Sequence, residues 1–315
     1  MKRIAFCLLL PLLAWGLDAL ETEGGIESSP GVFLQVTSSP AARAGFNWSF
    51  TVPFMRGDGP LTAGNGVAVT PGLEFTPVDL NLTLNAVWTP IAFVEIAAGG
   101  RVGSGWSINL FGGDIHGMGL NLPARETREA DVPGARHCGR AFDGALWQLR
   151  AGAALQGDVS AVFPGEWNRV VFRSFHEINY SAYTRARTGQ AWFFENDLGE
   201  NRNGFGYRGN LLVGYMPPLR LNTVGFMAEA ERFLTALPDG DAWGDGLLRW
   251  TFSGVLGFTV TENLEAALIA QFRTRRNYVQ ENWEDMHFTL RTLDRSGSLR
   301  RLEWFRAVLA LTYRF

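Results

Sequence analysis

The chain has 315 residues and a formal net charge of −3 at neutral pH, so its overall charge does not indicate a nucleic-acid partner. Its mean hydropathy of −0.01 excludes a protein built mainly from membrane-spanning helices. Glycine is abundant, with 37 residues, and aromatic residues make up 13% of the chain, a surplus typical of proteins that lie at two membrane–water interfaces.

The N-terminal segment predicts a secretory signal peptide. Two basic residues precede an apolar stretch at residues 4–15, which is too short to form a spanning helix. We expect cleavage after Ala19 or nearby, so the signal peptide covers residues 1–19. The remaining chain keeps one cysteine, Cys138, which excludes an intramolecular disulfide. Since no later apolar run is long enough for a spanning helix, the exported protein is periplasmic, secreted or an outer-membrane β-barrel.

Alternating apolar and polar residues predict strands along most of the chain. In residues 43–54, apolar and mostly aromatic side chains occupy every second position, and Gly, Asn, Ser and Thr lie between them. This period of two is that of a strand with one apolar face. The segment is longer than the roughly five to six residues of an average strand, which favours a strand that crosses a membrane.

Twelve segments are predicted to be strands. They span residues 31–38, 43–54, 66–76, 79–89, 91–103, 144–163, 168–183, 205–216, 219–231, 246–260, 264–275 and 299–315. The first and third patterns are the weakest. Ten strands fit if residues 31–38 are a plug or linker and one other segment is not a strand, and fourteen fit if 185–196 is a separate strand that pairs with a further strand beyond these twelve. The predicted fold class is all-β, a transmembrane antiparallel up-and-down β-barrel of about twelve strands.

The connections between these strands are either short turns or long polar loops. Short turns occur at residues 89–90, 164–166, 217–218 and 261–263, and long external loops are predicted near 104–143, 184–204, 232–245 and 276–297. If the last strand runs down to the periplasm, parity places these short turns in the periplasm and the long loops outside. Within the second loop, residues 192–194 either cap a strand or pack inside the loop.

The last strand carries the most specific signal in the sequence. One face carries Phe305, Ala307, Leu309, Leu311, Tyr313 and Phe315, and the other carries Arg306, Thr312 and Arg314. The chain here resembles bacterial outer-membrane β-barrels, including those of spirochaetes, whose last strand ends in an aromatic residue after apolar residues at every second position. The resemblance implies a location in outer-membrane lipid and a partner, the barrel-assembly machinery, that reads this end. The matching residues are Leu309, Leu311, Tyr313 and Phe315.

The inner face of the predicted barrel is charged. The lumen-facing candidates are Asp79, Glu95, Arg101, Arg150, Arg173, Glu177, Arg208, Glu265, Arg273, Arg306 and Arg314. One interpretation is a passive channel for small solutes, because rings of charge set the selectivity of pores. The other is a sealed, salt-bridged core, since about twelve strands lie between filled eight-stranded barrels and open porins of 16 to 18 strands. Arginine outnumbers acid among these positions, so an open pore would favour anions.

A different class of function is a non-conducting barrel that displays its external loops for adhesion or for contact with an extracellular ligand. The aromatic content of the loops suits this alternative. The tryptophans in or beside the loops are Trp106, Trp192, Trp243 and Trp283. A barrel that folds but never conducts would favour this function over a channel.

A remote alternative is an outer-membrane lipid hydrolase. Ser174 and His176 lie two residues apart, on the outward face of one predicted strand. This resembles the outer-membrane phospholipase family, but there the His precedes the Ser, and no third catalytic residue is evident in this sequence. We predict no enzymatic activity; a hydrolase of this kind would lose activity in Ser174→Ala or His176→Ala.

Potential metal ligands occur in the segment 104–143. They are Asp114, His116, His137 and Cys138. Their spacing matches no closed metal site, and solvated loop residues are the simpler interpretation. The glycine-rich stretches lack the helix that a phosphate-binding loop needs. We therefore predict neither a metal nor a cofactor.

Overall fold

A computed structural model shows how the strands assemble. It describes residues 25–38, 41–110, 113–120, 141–142, 144–195, 199–279 and 292–315. The predicted signal peptide lies outside these residues. Within them, no helix has the length and apolar character needed to cross a membrane.

The described residues contain sixteen strands. In chain order, β1 to β16 span Glu27–Thr37, Ala41–Pro53, Gly66–Thr76, Asp79–Ile91, Val94–Gly105, Ser107–Leu110, Gly113–His116, Met118–Leu120, Leu146–Asp158, Val170–Tyr183, Trp192–Phe194, Gly204–Tyr215, Leu221–Phe233, Arg249–Thr259, Leu264–Arg276 and Arg300–Arg314. A 3-10 helix at Val159–Ala161 and a one-turn α-helix at Gly240–Trp243 lie in connections.

Twelve of these strands form one closed antiparallel barrel. Its order around the wall is β1-β16-β15-β14-β13-β12-β10-β9-β5-β4-β3-β2, and β16 closes the circle by pairing with β1, with Gly31 opposite Arg314. The other four strands form two small ribbons, β6 with β7 and β8 with β11. The predicted all-β fold and the strand number of twelve are confirmed, including the two strands whose patterns are weakest.

The outer face of the barrel is apolar, as the alternation predicts. In β4, the side chains of Leu80, Leu82 and Leu84 are exposed, whereas Asp79 and Asn81 on the alternate face are fully buried. An apolar surface of this kind is favourable against lipid acyl chains and unfavourable against water. Because lipid offers no hydrogen bonds, only a closed barrel satisfies the backbone groups of every strand. The exterior is therefore that of a transmembrane barrel.

The interior of the barrel divides into two halves. Inward side chains of β9, β10 and β12–β16 pack into an apolar inner core, which consists of Ala154, Phe175, Leu212, Met216, Met227, Val255, Ala267, Ile269 and Val308. Inward positions of β1–β5 are mostly polar or glycine. The charged lumen-facing candidates from the sequence do not reveal this inner core, in which apolar side chains from neighbouring strands pack against one another.

The two ends of the barrel differ. One end, called the turn end, holds the C-terminus and the connections 54–65, 92–93, 159–169, 216–220 and 260–263. The other, called the loop end, holds the connections 38–40, 77–78, 106–145, 184–203, 234–248 and 277–299. The predicted separation of short turns from long loops is not uniform, because 54–65 and 159–169 are long and 38–40 and 77–78 are short.

The segment predicted as a long loop at 104–143 contains ordered strands. β5 continues to Gly105, and β8 pairs with β11, which belongs to the next connection. Trp192 and Phe193 of β11 are buried, and Trp192 packs with Met118 and Leu146. Of the two possibilities for residues 192–194, packing inside the loops is the one observed.

One residue of the last strand faces the opposite way from its prediction. The register between β15 and β16 shifts so that Gln271 lies opposite Arg306 and Phe272 opposite Trp304, which leaves Phe305 as the extra residue of a β-bulge. Two guanidinium groups stack on the Phe305 ring, so the ring lies on the charged inner side. Strict alternation places Phe305 on the outer face. The bulge adds one residue to the strand and so reverses the inward and outward assignment of the residues that precede it, which alternation does not reveal.

We expect Leu212→Ala and Leu211→Ala to separate the two faces of β12. Leu212 lies in the inner core and is 3% exposed, whereas Leu211 is 48% exposed toward lipid. The first change leaves a cavity and should lower the free energy of unfolding by about 2–4 kcal/mol. The second should cost less, because acyl chains close around the shortened side chain. Urea unfolding in lipid vesicles, followed by tryptophan fluorescence, measures both; equal costs would mean that the inner core is hydrated.

Candidate functional site in the barrel lumen

A cavity of about 1650 Å³ extends along the polar half of the barrel, and residues at both ends line it. Its lining includes Glu27, Arg56 and Glu166 at the turn end and Glu200 and Arg276 at the loop end. Eleven arginines and eight carboxylates line it in all, which leaves an excess of positive charge. They are Arg43, Arg56, Arg101, Arg150, Arg169, Arg202, Arg208, Arg232, Arg249, Arg276 and Arg314, with Glu27, Glu74, Glu95, Asp158, Glu166, Glu200, Glu231 and Asp245.

The eleven lumen-facing candidates from the sequence fall into two groups. Those that line the cavity are Glu95, Arg101, Arg150, Arg208 and Arg314. Those that are not among its lining residues are Asp79, Arg173, Glu177, Glu265, Arg273 and Arg306. Alternation assigns a residue to the inner face, but whether it meets free space depends on what packs opposite it.

Two of the second group have structural contacts instead. Asp79 is fully buried and accepts hydrogen bonds from the hydroxyl of Thr76 and, at 2.6 Å, from the amide of Asn81. These bonds stabilise the tight connection between β3 and β4. Arg173 pairs with Glu95 at 2.6 Å, and its guanidinium stacks on Phe175 of the inner core, 5.0 Å from the ring centre.

Four charges from three strands and a loop meet near the loop end. Glu74 of β3 contacts Arg43 of β2 at 3.5 Å and Arg101 of β5 at 2.7 Å. Glu195, which follows β11 in the connection 184–203, reaches the same two arginines. The loop therefore folds inward and places a carboxylate against two arginines that line the cavity. We call these four residues the lumen cluster.

The backbone holds Glu195 in this inward position. Its φ is +51°, a left-handed conformation that is uncommon for a residue with a side chain. Its N–H donates to the carbonyl of Gly117 at 2.7 Å, and the preceding ring of Phe194 lies 5.9 Å from the guanidinium of Arg101. Contacts on both sides of the residue compensate for the strained φ.

A second group of charges connects the loops to one another at the loop end. The side chain of Arg202 is 1% exposed, donates to Asp239 at 2.8 Å and also contacts Asp245. Its guanidinium lies 4.0 Å from the ring centre of Trp243. These contacts tie the connection 184–203 to 234–248.

The same group of loop residues also reaches the barrel wall. Glu200 pairs with Arg249 at 3.3 Å and with Arg276 at 3.7 Å. Beyond β15, burial and the nearby Glu200 raise the pKa of the Tyr278 phenol, so this group stays neutral at physiological pH. The described residues of these two connections thus pack together over part of the loop end.

Arg150 differs from the other wall arginines of β5, β9 and β12. Arg101 and Arg208 pair with carboxylates, at 2.7 Å and 3.9 Å. Arg150 donates to the side-chain oxygen of Asn85, and no carboxylate of the described residues lies within 4 Å of it. Within the described residues the charge of Arg150 is therefore not neutralised by an ion pair, although Glu177 and Glu74 act on it from farther away.

Several charges of the site were not predicted from the sequence. Arg43 and Glu74 have the inward parity of their strands, so extending the polar faces by one or two positions would have found them. Glu195 and Arg202 lie in a connection, where no periodic signal exists. Their position follows from how the loop packs.

Ser174, His176 and Tyr207 form a hydrogen-bonded chain on the outer face. The Ser174 hydroxyl lies 3.1 Å from Nε2 of His176, and Nδ1 of His176 lies 2.7 Å from the Tyr207 hydroxyl. Tyr207 is thus a third hydrogen-bonded residue beside Ser174 and His176, and the sequence alone does not reveal it. A neutral phenol does not stabilise an imidazolium as a carboxylate does, and neighbouring backbone N–H groups are engaged in the sheet ladders of β10 and β12. These hydrogen bonds satisfy the polar groups of the three side chains at a surface where lipid offers no hydrogen-bond partners.

Of the potential metal ligands, His116 is held by the hydroxyl of Ser107 at 3.0 Å. His137 and Cys138 lie outside the described residues. Within the described part of the chain, no three His, Cys, Asp or Glu side chains come together as a metal site.

Comparisons with known proteins find similarity in fold only. No family model and no curated protein matches the sequence. Similar solved structures include the KdgM porin, with a TM-score of 0.40, 9% identity, and coverage of 91% of this chain and 99% of that one. The β domain of the Bordetella autotransporter BrkA has a TM-score of 0.43 and 8% identity, and the match covers 92% of this chain and 99% of that one. The CymD monoaromatic hydrocarbon channel has a TM-score of 0.36 and 9% identity, with coverage of 92% of this chain and 88% of that one. Likeness at this level is limited to barrel architecture.

We expect Glu95→Gln to destabilise the barrel by about 3 kcal/mol, because it leaves the buried Arg173 without a counter-charge. The side chains of this pair are 10% and 4% exposed. Glu265→Gln is the matched control, since the Glu265–Arg314 pair is more exposed, at 19% for each side chain, and should cost under about 1 kcal/mol. Urea unfolding measures both, and adding Arg173→Met to Glu95→Gln should restore part of the loss. Equal costs for the two Gln variants would contradict this account.

Proposed function

We propose that this protein is a passive outer-membrane channel for small solutes, with a preference for anions. The observation that carries the proposal is the cavity that reaches from the turn end to the loop end and is lined by more arginines than carboxylates. Fixed charge on the wall of a narrow lumen attracts ions of opposite sign and repels those of like sign. Arg150, whose charge has no ion pair among the described residues, is the wall residue best placed to interact with an anion.

The orientation follows from the ends of the barrel. The turn end, which holds the C-terminus, would face the periplasm, and the packed loops would face outward. Leu309, Tyr313 and Phe315 are exposed on the outer face of β16, where a protein that assembles barrels could read them. The proposal therefore includes the barrel-assembly machinery as a partner and outer-membrane lipid as the surroundings.

The two halves of the interior favour a conduit over a sealed core. The apolar inner core already supplies dry packing between the walls of β9–β16. The polar half is left with glycines and short side chains such as Ser49, Thr70 and Gly72, which line the cavity and do not fill it. A barrel whose charges served only to rigidify it would not need this free volume.

Loop display is supported less well. Trp192 and Trp243, two of the aromatic residues that would contact a ligand, are 3% and 1% exposed. They pack against other loop residues and stabilise the loop end, so they are not accessible to an external surface. Trp283 lies outside the described residues.

We expect the refolded chain without residues 1–19 to give discrete single-channel openings in planar bilayers, with a reversal potential that indicates anion preference. Arg150→Gln should lower the ratio of anion to cation permeability by at least about twofold, because it removes a wall charge. Arg220→Gln makes the same change of net charge at an exposed position that does not line the cavity, and should leave the ratio unchanged. A barrel with β-rich circular dichroism that never conducts would contradict the channel and favour loop display.

Glu195→Gln should have the opposite effect from Arg150→Gln. It removes the carboxylate that the loop presents to Arg43 and Arg101, so the lumen cluster becomes more positive and the anion preference should rise. Glu262→Gln, in an exposed turn, is the control for the change of net charge. The reversal potential in a salt gradient measures both, and an unchanged value for Glu195→Gln would show that the loop does not reach the ion path.

A further inference from the structure

We propose that the loop end of β15 and β16 forms a binding site for a small oxyanion with two negative charges, such as a phosphate group. The site consists of Arg273, Arg275, Arg301 and Arg306, together called the arginine cluster. None of the four is among the residues that line the main cavity. If the bound oxyanion is a transported solute, the inference rests on the proposed function, whereas binding itself does not require conduction.

The arginine cluster is centred on one carboxylate. Glu303 lies 3.0 Å from Arg273, 3.8 Å from Arg301 and 4.0 Å from Arg275. Only the first distance is that of a hydrogen bond, so the other two guanidiniums keep most of their donors for another partner. Four guanidiniums and one carboxylate leave three positive charges uncompensated.

Arg306 contributes a charge without an ion pair. Its guanidinium donates to the side-chain oxygen of Gln271 at 2.7 Å, and no carboxylate of the described residues lies within 4 Å. Two carboxylates, Glu229 of β13 and Glu195, act on it from farther away, and so does the like charge of Arg43. Even when both are counted with Glu303, the four arginines of the cluster and Arg43 leave an excess of positive charge.

The side chains are held in place before any ligand binds. The guanidiniums of Arg273 and Arg306 lie 4.1 Å and 4.5 Å from the centre of the Phe305 ring. Gln271, which orients Arg306, is 1% exposed and donates to Ser253 at 3.0 Å. The bulge that turns Phe305 inward is therefore what holds two arginines side by side, and such preorganisation lowers the entropy lost on binding.

The pairing of the strands is itself unfavourable without an anion. Arg275 lies directly opposite Arg301, and Arg276 lies opposite Arg300. Like charges directly across an antiparallel pair destabilise it. Arg276 is compensated by loop carboxylates, whereas Arg275 and Arg301 share the single carboxylate of Glu303. An oxyanion would relieve this repulsion, and the planar guanidinium matches its geometry with paired donors.

Part of the arginine cluster is exposed among the residues that the structure describes. The side chain of Arg301 is 56% exposed. β1 ends at Thr37, opposite Val308, so the part of β16 that carries Arg301 and Glu303 extends beyond the ladder with β1.

Isothermal titration calorimetry with inorganic phosphate, on the refolded barrel in a non-ionic detergent, tests the site. We expect saturable binding that weakens at least about tenfold in Arg273→Gln, which removes a guanidinium beside both Glu303 and Phe305. Arg220→Gln changes the net charge equally at an exposed turn and should bind like the wild type. Glu303→Gln should bind more tightly, because it removes the competing carboxylate; a merely structural role for the residue does not predict this gain.

Three outcomes would overturn the inference: no saturable heat with wild-type barrel, equal weakening in Arg273→Gln and Arg220→Gln, or weaker binding in Glu303→Gln. If the natural ligand is a lipid headgroup, phosphatidic acid added to the micelles should displace inorganic phosphate. If the natural ligand is a soluble phosphate, added phosphatidic acid should leave the phosphate titration unchanged. Binding without conduction would refute the proposed channel and keep the site. Conduction with anion preference but no binding would refute the site and keep the channel.

Discussion

The constraint on which this structure depends is that a backbone in lipid must find every hydrogen bond within the protein. Twelve strands meet it only because β16 returns to β1, in a ladder of seven pairs from Gly31–Arg314 to Thr37–Val308. Once the ladder closes, each strand has one face toward lipid and one toward the interior. Charged side chains of the wall therefore collect in the interior, whereas the polar groups of Ser174, His176 and Tyr207 on the outer face bond to one another.

The interior is wide enough to hold side chains and narrow enough that they meet across it. Apolar side chains fill the part bounded by β9–β16, and the inward glycines and short polar residues of β2–β4 leave the cavity open beside them. A charge placed in such a lumen is only partly screened by water, so an ion pair such as Arg173–Glu95 and a lone cation such as Arg150 have very different consequences. Removing one partner of the first would leave a buried charge without its counter-charge, whereas in the proposed channel the second acts on solutes.

Alternation predicted the barrel well because period two is a property of each strand by itself. The bounds predicted for β3, 66–76, match Gly66–Thr76, and the other barrel strands agree within a few residues at most ends. What alternation does not contain is the contact between strands that are distant in sequence. Arg150 and Arg173 have the same inward parity, yet one lines the cavity and the other is buried against Phe175. The bulge at Phe305 and the inward fold of Glu195 depend on register and loop packing, which leave no periodic trace.

The wall and the loops divide the charges of the lumen between them. Arg43, Arg101 and Arg276 belong to strands whose positions are fixed by the sheet, whereas Glu195 and Glu200, which neutralise them, belong to the connection 184–203. Connections move more easily than paired strands, because fewer hydrogen bonds hold them. Any displacement of this loop therefore removes negative charge from the lumen and leaves the positive wall behind. In the proposed channel, the excess of arginine on the wall is a property of the barrel, and the extent to which carboxylates neutralise it is a property of the loop.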